Sequence, residues 1–157
     1  MDEIIFMEKP DLHRPYLIIG FEGWPNAAEV SSFSIQYLID NLGAKKLASI
    51  SNESFYQISS LRPVAVIKQG RLAELKFHGN HFYYFKNPLS KDLIFFLGVE
   101  PHLQWNRFVE LLFRVVETFG VLEIVTVGGS YDYIPHTYPP KVSALYSQNE
   151  LREKIKT

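Results

Sequence analysis

The chain has 157 residues and a formal net charge of −1, which suits one globular domain and argues against the basic field that a phosphate backbone attracts. It contains no cysteine, which excludes disulfides, a thiolate nucleophile and a cysteine-ligated metal. The absence of cysteine also suits the cytoplasm, and the apolar runs are shorter than the roughly 20 residues of a membrane helix. We therefore expect a cytoplasmic protein with neither a nucleic-acid nor a membrane partner.

The first predicted unit is a strand followed by a helix. Residues 16–21 form a short apolar run bounded by glycine and proline, which is typical of a strand buried on both faces. Asn26 is a favourable N-cap, and residues 27–42 have helical spacing up to the stop signal at Gly43. Lys45–Ile50 is predicted to be a further strand of the same sheet.

Three short strands are predicted in the middle of the chain. Val64–Lys68, 72–77 and 81–85 are separated by the turn pairs Gln69-Gly70 and Gly79-Asn80, which predicts an inserted antiparallel β-meander.

A second strand and helix follow. Residues 93–97 and 122–127 are apolar runs that end in glycine, and 103–119 is a helix with a wide apolar stripe that we expect to be covered on more than one side. Residues 142–146 are predicted to be another strand, and 148–157 a helix or frayed end. The fold class is therefore α/β, a mainly parallel sheet flanked by helices with an inserted meander, in one domain over residues 1–157.

Loops at the carboxyl ends of the parallel strands are expected to converge, because ligands of open α/β sheets gather there. These loops supply the candidate binding residues Gly20, Glu22, Trp24, Asn26, Glu100, His102, Gly128, Gly129, His136 and Thr137.

Four interpretations of these residues stay open. Glu22, Glu100 and His136 are candidates for acid/base catalysis. His102 and His136 with a carboxylate are candidates for a metal site, and the amides of Gly128-Gly129 for an anion site. The structural alternative is that the glutamates accept loop amides while the histidines cap helices or pack beside aromatic rings. No spacing here is diagnostic, and we expect no metal.

Trp24 is the other feature of the first loop. It is either an exposed recognition anchor, since tryptophan concentrates binding energy, or a side chain folded back onto the sheet edge. The sequence has no Gly-x-Gly-x-x-Gly, no Walker loop, no Gly-x-Ser-x-Gly and no His-Glu-x-x-His. We therefore expect no cofactor, and favour a binding module over an enzyme.

Several separated motifs resemble the proteasome assembly chaperone 2 (PAC2) family. The resemblance begins with the glycine-tryptophan segment and continues in order along nearly the whole chain. The matching segments are 20–27 with Glu29-Val30, Phe55-Tyr56, Arg62-Pro63, 97–102 with Trp105, 127–129 and 134–137.

This resemblance implies a phosphorylase/hydrolase-like fold, homo-oligomers and, as in archaeal and eukaryotic relatives, a role in assembling the proteasome core. The expected partners are the chain itself and proteasome subunits. Two hypotheses follow: a protein-binding module of this kind or an uncharacterised relative, and a small-molecule hydrolase or nucleoside-phosphorylase-like enzyme. Family members usually continue further, so two interpretations of residues 1–157 stay open: a short member of the family, or the N-terminal part of a longer one.

Overall fold

The structure is a computed structural model that describes residues 3–139 and 141–155. Along the chain, a strand followed by a long helix comes before a middle segment made of strands, and a second strand followed by a long helix comes after it. The elements are β1 Ile4–Phe6, β2 Tyr16–Glu22, α1 Val30–Leu42, β3 Lys45–Ile50, β4 Val64–Lys68, β5 Arg71–Lys76, β6 Asn80–Phe85, β7 Leu93–Val99, α2 Trp105–Phe119, β8 Glu123–Val127 and α3 Asn149–Ile155.

Six of these strands form the main sheet, in the order β1-β3-β6-β7-β2-β8. β7, β2 and β8 lie side by side and parallel, as the apolar runs that end in glycine predicted. The other pairings in this sheet are antiparallel. The prediction of an α/β fold is confirmed, but the sheet is mixed and the prediction of a mainly parallel sheet is wrong.

The position of β6 is one main reason that the sheet is mixed and not mainly parallel. It does not complete a three-stranded meander; β4 and β5 pair only with each other, and β6 lies between β3 and β7. The physical reason is its alternating pattern, in which Phe82 and Tyr84 are buried in the main core while Tyr83 packs on the opposite face. A strand that is apolar on both faces is stabilised most in the interior of a sheet.

A helix covers each face of the main sheet. α2 contributes Phe108, Leu111 and Val115 to the larger core, together with Leu17 and Phe96 from the sheet. On the other face, α1 packs its buried residues Ile35 and Ile39 against Phe95. Successive residues of β7 therefore point to opposite cores, as the two-residue period of a strand requires.

α1 lies so close to β2 that only glycine fits at position 20. A Cβ on Gly20 would lie 2.4 Å from Ile35 Cγ1 and 2.9 Å from the Ser31 carbonyl oxygen. Ser31 is fully buried here; its hydroxyl accepts the Phe21 amide at 2.9 Å and donates to the Val127 carbonyl at 2.6 Å. One serine thus fixes the helix to two neighbouring strands.

The start of α1 differs from its prediction. A short 3-10 turn, Ala27–Glu29, precedes the helix, and Ala28 and Glu29 have φ values of 51° and 60°. The N-cap of α1 is therefore Glu29 and not Asn26, although Oδ1 of Asn26 accepts the Ser32 amide at 3.0 Å. The prediction of Asn26 as the N-cap is wrong, because the 3-10 turn comes first and the regular helix begins at Val30 rather than Ala27.

Two predictions near the C-terminal end are wrong. Residues 142–146 are not a strand, since Val142 and Leu145 are 95% and 99% exposed and find no strand to pair with among the described residues. β8 is not buried on both faces either, because it is the edge of the sheet, where Ile124 and Val125 are half-exposed. The predicted C-terminal helix is α3, and residues 156–157 lie outside the described residues.

α2 begins two residues later than predicted, at Trp105. Its apolar stripe is wider than the face that the sheet covers, because Trp105 and Phe113 are 45% and 49% exposed. None of the described helices combines the length and the apolar character needed to cross a bilayer.

Candidate functional site

The carboxyl ends of β7, β2 and β8 meet through main-chain hydrogen bonds. The Glu100 amide donates to the Glu22 carbonyl at 2.9 Å. The loop after β2 pairs with the end of β8, where the Gly129 amide donates to the Pro25 carbonyl at 2.8 Å and the Ala27 amide donates to the Gly129 carbonyl at 3.1 Å. We call this surface the carboxyl-end rim and define it by Glu22, Trp24, Asn26, Glu100 and Gly129.

Glu100 holds the loop of the glycine-tryptophan segment. Its Oε2 accepts the main-chain amide of Trp24 at 2.8 Å. Gly23 makes this approach possible, because it has a φ of 140° and a Cβ there would lie 2.5 Å from the same oxygen. The Trp24 side chain is 88% exposed, so the alternative in which it folds back onto the sheet does not apply.

Glu22 has a different partner on the other side of the rim. Its Oε2 lies 3.1 Å from Nδ1 of His78, a residue that the sequence analysis did not select. The two side chains are 45% and 27% exposed, so the pair is partly in contact with solvent. His78 lies two residues before β6, and the position of β6 beside β7 brings His78 close to Glu22.

Glu22 and His78 both line a groove between α1, the β4–β5 hairpin and the main sheet. The groove has a volume of about 350 Å³ and is lined by Glu22, Gln36, Val64, Lys76, Phe77, His78, Gly79, His81, Tyr83 and Leu97. Nδ1 of His81 is buried there without a hydrogen-bond partner among the described residues. Burial and, to a lesser degree, the charge of Lys46 lower the pKa of His81, which favours its neutral ring.

A buried polar network lies beneath the rim. The Tyr56 hydroxyl donates to the Val99 carbonyl at 2.6 Å and lies 2.9 Å from Asn80 Oδ1. That oxygen also accepts the Val99 amide at 3.0 Å, while Nδ2 of Asn80 donates to Asn52 Oδ1 at 2.9 Å. Asn52 donates in turn to the His78 carbonyl. The network ties the loop before β4 to the ends of β6 and β7.

Burial is the largest influence on the pKa of Tyr56 in this network. It raises the pKa of Tyr56 to about 12; the hydrogen bond with Asn80 opposes the shift and the charge of Glu22 adds to it. The phenol is therefore a donor fixed in its neutral form. Sequence reasoning did not select Tyr56 or Asn80, although Tyr56 is part of an aromatic pair that carries the family resemblance.

His102 supports the loop that contains Tyr56. Its amide donates to the Phe55 carbonyl at 2.9 Å, and its Nδ1 accepts the Gln57 amide at 3.2 Å. The ring stands edge-on to Tyr56 at a centroid distance of 5.7 Å. His102 thus packs beside an aromatic ring, which is one of the interpretations that the sequence left open for it.

The remaining candidates are not gathered at one point. His136 and Thr137 are exposed on the segment after β8, and no described hydrogen bond or ion pair links His136 to Glu22 or Glu100. A Cβ at Gly128 would lie 3.5 Å from Pro25, an ordinary contact distance, so the position does not demand glycine for space. The amide of Gly129 already donates to Pro25, so it does not face an anion. Within residues 3–139 and 141–152, no group of three potential ligands could hold a metal ion.

The chemistry of the rim follows from these partners. Each of the two glutamates already has a partner, a main-chain amide for Glu100 and a histidine for Glu22. The group left open to solvent is the indole of Trp24, on a loop that is hydrogen-bonded on both sides. A large, exposed aromatic side chain on a fixed backbone is suited to recognition of another protein, because little entropy is lost when it is buried.

Comparison with known protein families gives a match over most of the chain. The model of the PAC2 family matches residues 20–157. No curated protein matches the sequence.

Solved structures share the fold. A PAC2 family protein of Streptomyces avermitilis has a TM-score of 0.80 at 24% identity over 90% of this chain and 60% of its own. A proteasome-assembly chaperone homologue of Mycobacterium tuberculosis has a TM-score of 0.81 at 25% identity over 90% and 61%. PbaB of Pyrococcus furiosus, an archaeal proteasome activator, has a TM-score of 0.58 at 28% identity over 80% and 51%. The chain thus spans less than two thirds of the length of each of these proteins.

Proposed function

This chain belongs to the PAC2 family, and from that premise we propose that it is a cytoplasmic protein-binding module that acts in proteasome assembly. Its proposed partners are proteasome subunits and a second copy of itself. The similarity to a proteasome-assembly chaperone homologue and to an archaeal proteasome activator supports this role. The proposal concerns the part of the architecture that this chain spans.

The observation that carries the proposal is the presentation of Trp24. The indole is almost fully exposed, while Glu100 fixes the amide of the same residue and Gly129 is bonded to the residues on both sides of Asn26. Exposing tryptophan to water has a cost that a purely structural loop would avoid by folding it inward. Central aromatic residues of this kind dominate the binding free energy of protein interfaces.

Binding to purified proteasome core subunits of the source organism tests the proposal. The chain is immobilised and the subunits are titrated in biolayer interferometry, first singly and then as assembled rings. We expect saturable binding of at least one subunit. Absence of binding by every subunit and by the ring, with correctly folded chain on the sensor, would contradict the proposal.

A second candidate is a small-molecule hydrolase or nucleoside-phosphorylase-like enzyme. The Glu22–His78 pair favours it, since a carboxylate bonded to a histidine beside a groove is a common arrangement for proton transfer. The phosphorylase/hydrolase-like fold stays a prediction in this context. Incubation with nucleosides and phosphate, followed by chromatography of released bases, tests the idea: turnover that Glu22→Gln abolishes supports it, and absence of turnover contradicts it.

A further inference from the structure

The segment that follows β8 lies against the loop that carries Trp24. The Tyr131 hydroxyl accepts the main-chain amide of Ala28 at 3.1 Å, and Asn26 and Gly129 form a parallel β-bridge. Two loops that follow neighbouring strands are thus joined side by side at the carboxyl-end rim. The aromatic residues that they carry belong to one surface.

Three large aromatic side chains on these loops are open to solvent. Trp24 and Tyr131 are 88% and 84% exposed, and Tyr133 is fully exposed. None of them belongs to either hydrophobic cluster of the described residues. Tyrosine and tryptophan offer a large, amphipathic contact area and lose little entropy when they are buried, which is why they are enriched in protein-binding surfaces.

The loops at the carboxyl ends of the parallel strands are acidic. They contain none of the 16 lysine and arginine residues of the chain. The loop segments are 20–31, 98–105 and 128–139, and their acidic residues are Glu22, Glu29, Glu100 and Asp132. Because the whole chain has a net charge of only −1, negative charge is concentrated at this end of the sheet.

Glu29 and Asp132 are the carboxylates that a partner can reach most easily. Glu22 and Glu100 already have the partners described above. Glu29 and Asp132 are exposed, and no ion pair among the described residues joins either of them to a cation. Oδ1 of Asp132 accepts the Tyr133 amide at 2.7 Å, which leaves the charge of the carboxylate facing solvent.

Two cationic residues border these loops, and each already has an acidic partner. Arg107, in the first turn of α2, donates to Glu3 at 2.7 Å and to Glu110 at 2.9 Å. Lys76, which lines the groove described above, lies 3.7 Å from Glu74. The negative charge of the loops is therefore left for a partner to neutralise.

The combination of aromatic rings and carboxylates limits what can bind here. We call this surface the aromatic–acidic patch and define it by Trp24, Glu29, Tyr131, Asp132 and Tyr133. The same patch of a second copy, or a phosphate backbone, would place like charges together, and an apolar surface would bury two carboxylates without a partner. A guanidinium or ammonium group suits both parts, since it stacks on an aromatic face and pairs with a carboxylate.

We propose that the aromatic–acidic patch binds an arginine- or lysine-containing segment of a partner protein. One cationic side chain of that segment stacks on Trp24 or on a tyrosine of the patch, and Glu29 and Asp132 pair with its cationic neighbours. The inference rests on the proposed role of Trp24 in protein binding and adds the charge of the segment that Trp24 recognises.

Nuclear magnetic resonance with two synthetic peptides tests the inference without a proteasome subunit. One peptide alternates arginine with glycine, and the other has glutamate in place of each arginine. The indole N–H signals of the isotope-labelled chain report binding at Trp24, with Trp105 as the internal reference and Trp24→Phe for assignment. We expect the arginine peptide to shift the Trp24 signal saturably, the glutamate peptide to leave it unchanged, and added salt to weaken the binding.

Two double variants with the same change in net charge separate the patch from the charge of the whole chain. Glu29→Gln with Asp132→Asn removes the carboxylates of the patch. Glu117→Gln with Asp11→Asn removes two exposed carboxylates toward the other end of the strands, since Asp11 precedes β2 and Glu117 lies near the end of α2. We expect the patch variant to bind the arginine peptide roughly fivefold more weakly, and the control variant to bind it like the unaltered chain.

The inference is overturned by a Trp24 signal that the arginine peptide does not shift, by an equal shift with the glutamate peptide, or by equal affinities of the two double variants. The same variants are then compared on the proteasome subunits. Subunit binding that the patch variant retains in full overturns the assignment of a basic segment while protein binding stands. Peptide binding without subunit binding contradicts the proteasome role and leaves the assignment intact.

Discussion

The main-chain amide of Trp24 donates to the carboxylate of Glu100 across 2.8 Å, and this hydrogen bond links two loops that are 76 residues apart. The carboxylate that the sequence offered as a catalytic candidate thereby has a conformational role, because it fixes the backbone of the residue with the most exposed indole. The same bond explains why a glycine precedes Trp24, since any side chain at position 23 would occupy the place of the Glu100 oxygen.

Replacement of Gly23 by alanine should therefore release the loop. The Cβ would clash with Glu100 Oε2 and the backbone would be strained at a φ of 140°, for a loss of about 1–3 kcal/mol in the free energy of unfolding. Gly43→Ala is the control, because Gly43 also has a positive φ but nothing lies within 4 Å of its Cβ. Hydrogen exchange of residues 22–28 should accelerate only in Gly23→Ala; equal protection in both variants would refute the steric role.

Ser31→Ala should destabilise the fold more than its small size suggests. The substitution leaves the Phe21 amide and the Val127 carbonyl without their partner, which costs about 1–3 kcal/mol for buried groups. Ser34→Ala, one turn further along α1 and only partly buried, should change the stability by a few tenths of a kcal/mol. Urea denaturation of both variants measures the difference, and equal midpoints would show that Ser31 does not fix β2 to β8.

The stability of the protein should fall between pH 10 and pH 12 partly through Tyr56. Its pKa is about 12 in the fold against 10 for the free side chain, so the unfolded chain loses its phenolic proton first and unfolding becomes more favourable as the pH rises. The effect amounts to at most about 3 kcal/mol, since one pKa unit corresponds to about 1.4 kcal/mol. Tyr56→Phe should lack this part of the pH dependence. A variant whose stability falls as steeply as that of the unaltered chain would contradict the burial of an un-ionised phenol.

The parts of the fold that sequence reasoning predicted are those fixed by local signals. The apolar runs that end in glycine predicted the three parallel strands. Apolar periodicity, with Gly43 as a stop for α1, predicted the C-terminal ends of α1 and α2. The convergence of the loops followed from those strands. The start of α1 did not follow from these signals, because a 3-10 turn lies between Asn26 and Val30.

The features that sequence reasoning missed depend on contacts between residues that are far apart in the sequence. Whether β6 joins β5 or β7 is decided by which neighbour can bury Phe82 and Tyr84, and no local turn signal shows this. Once β6 lies beside β7, it brings His78 to Glu22 and places Asn80 under the rim. A buried asparagine has no characteristic spacing in sequence, so these residues were not selected.

The central claim, that the carboxyl-end rim binds protein through Trp24, is tested most directly by the affinity of Trp24→Ala for the proteasome core subunit that the unaltered chain binds. Leu89→Ala is the matched control, because Leu89 is 94% exposed but precedes β7 and so lies toward the other end of the strands. We predict that Trp24→Ala weakens binding by roughly 30-fold or more, equivalent to about 2 kcal/mol, and that Leu89→Ala has the affinity of the unaltered chain. Equal affinities of Trp24→Ala and the unaltered chain would contradict the claim.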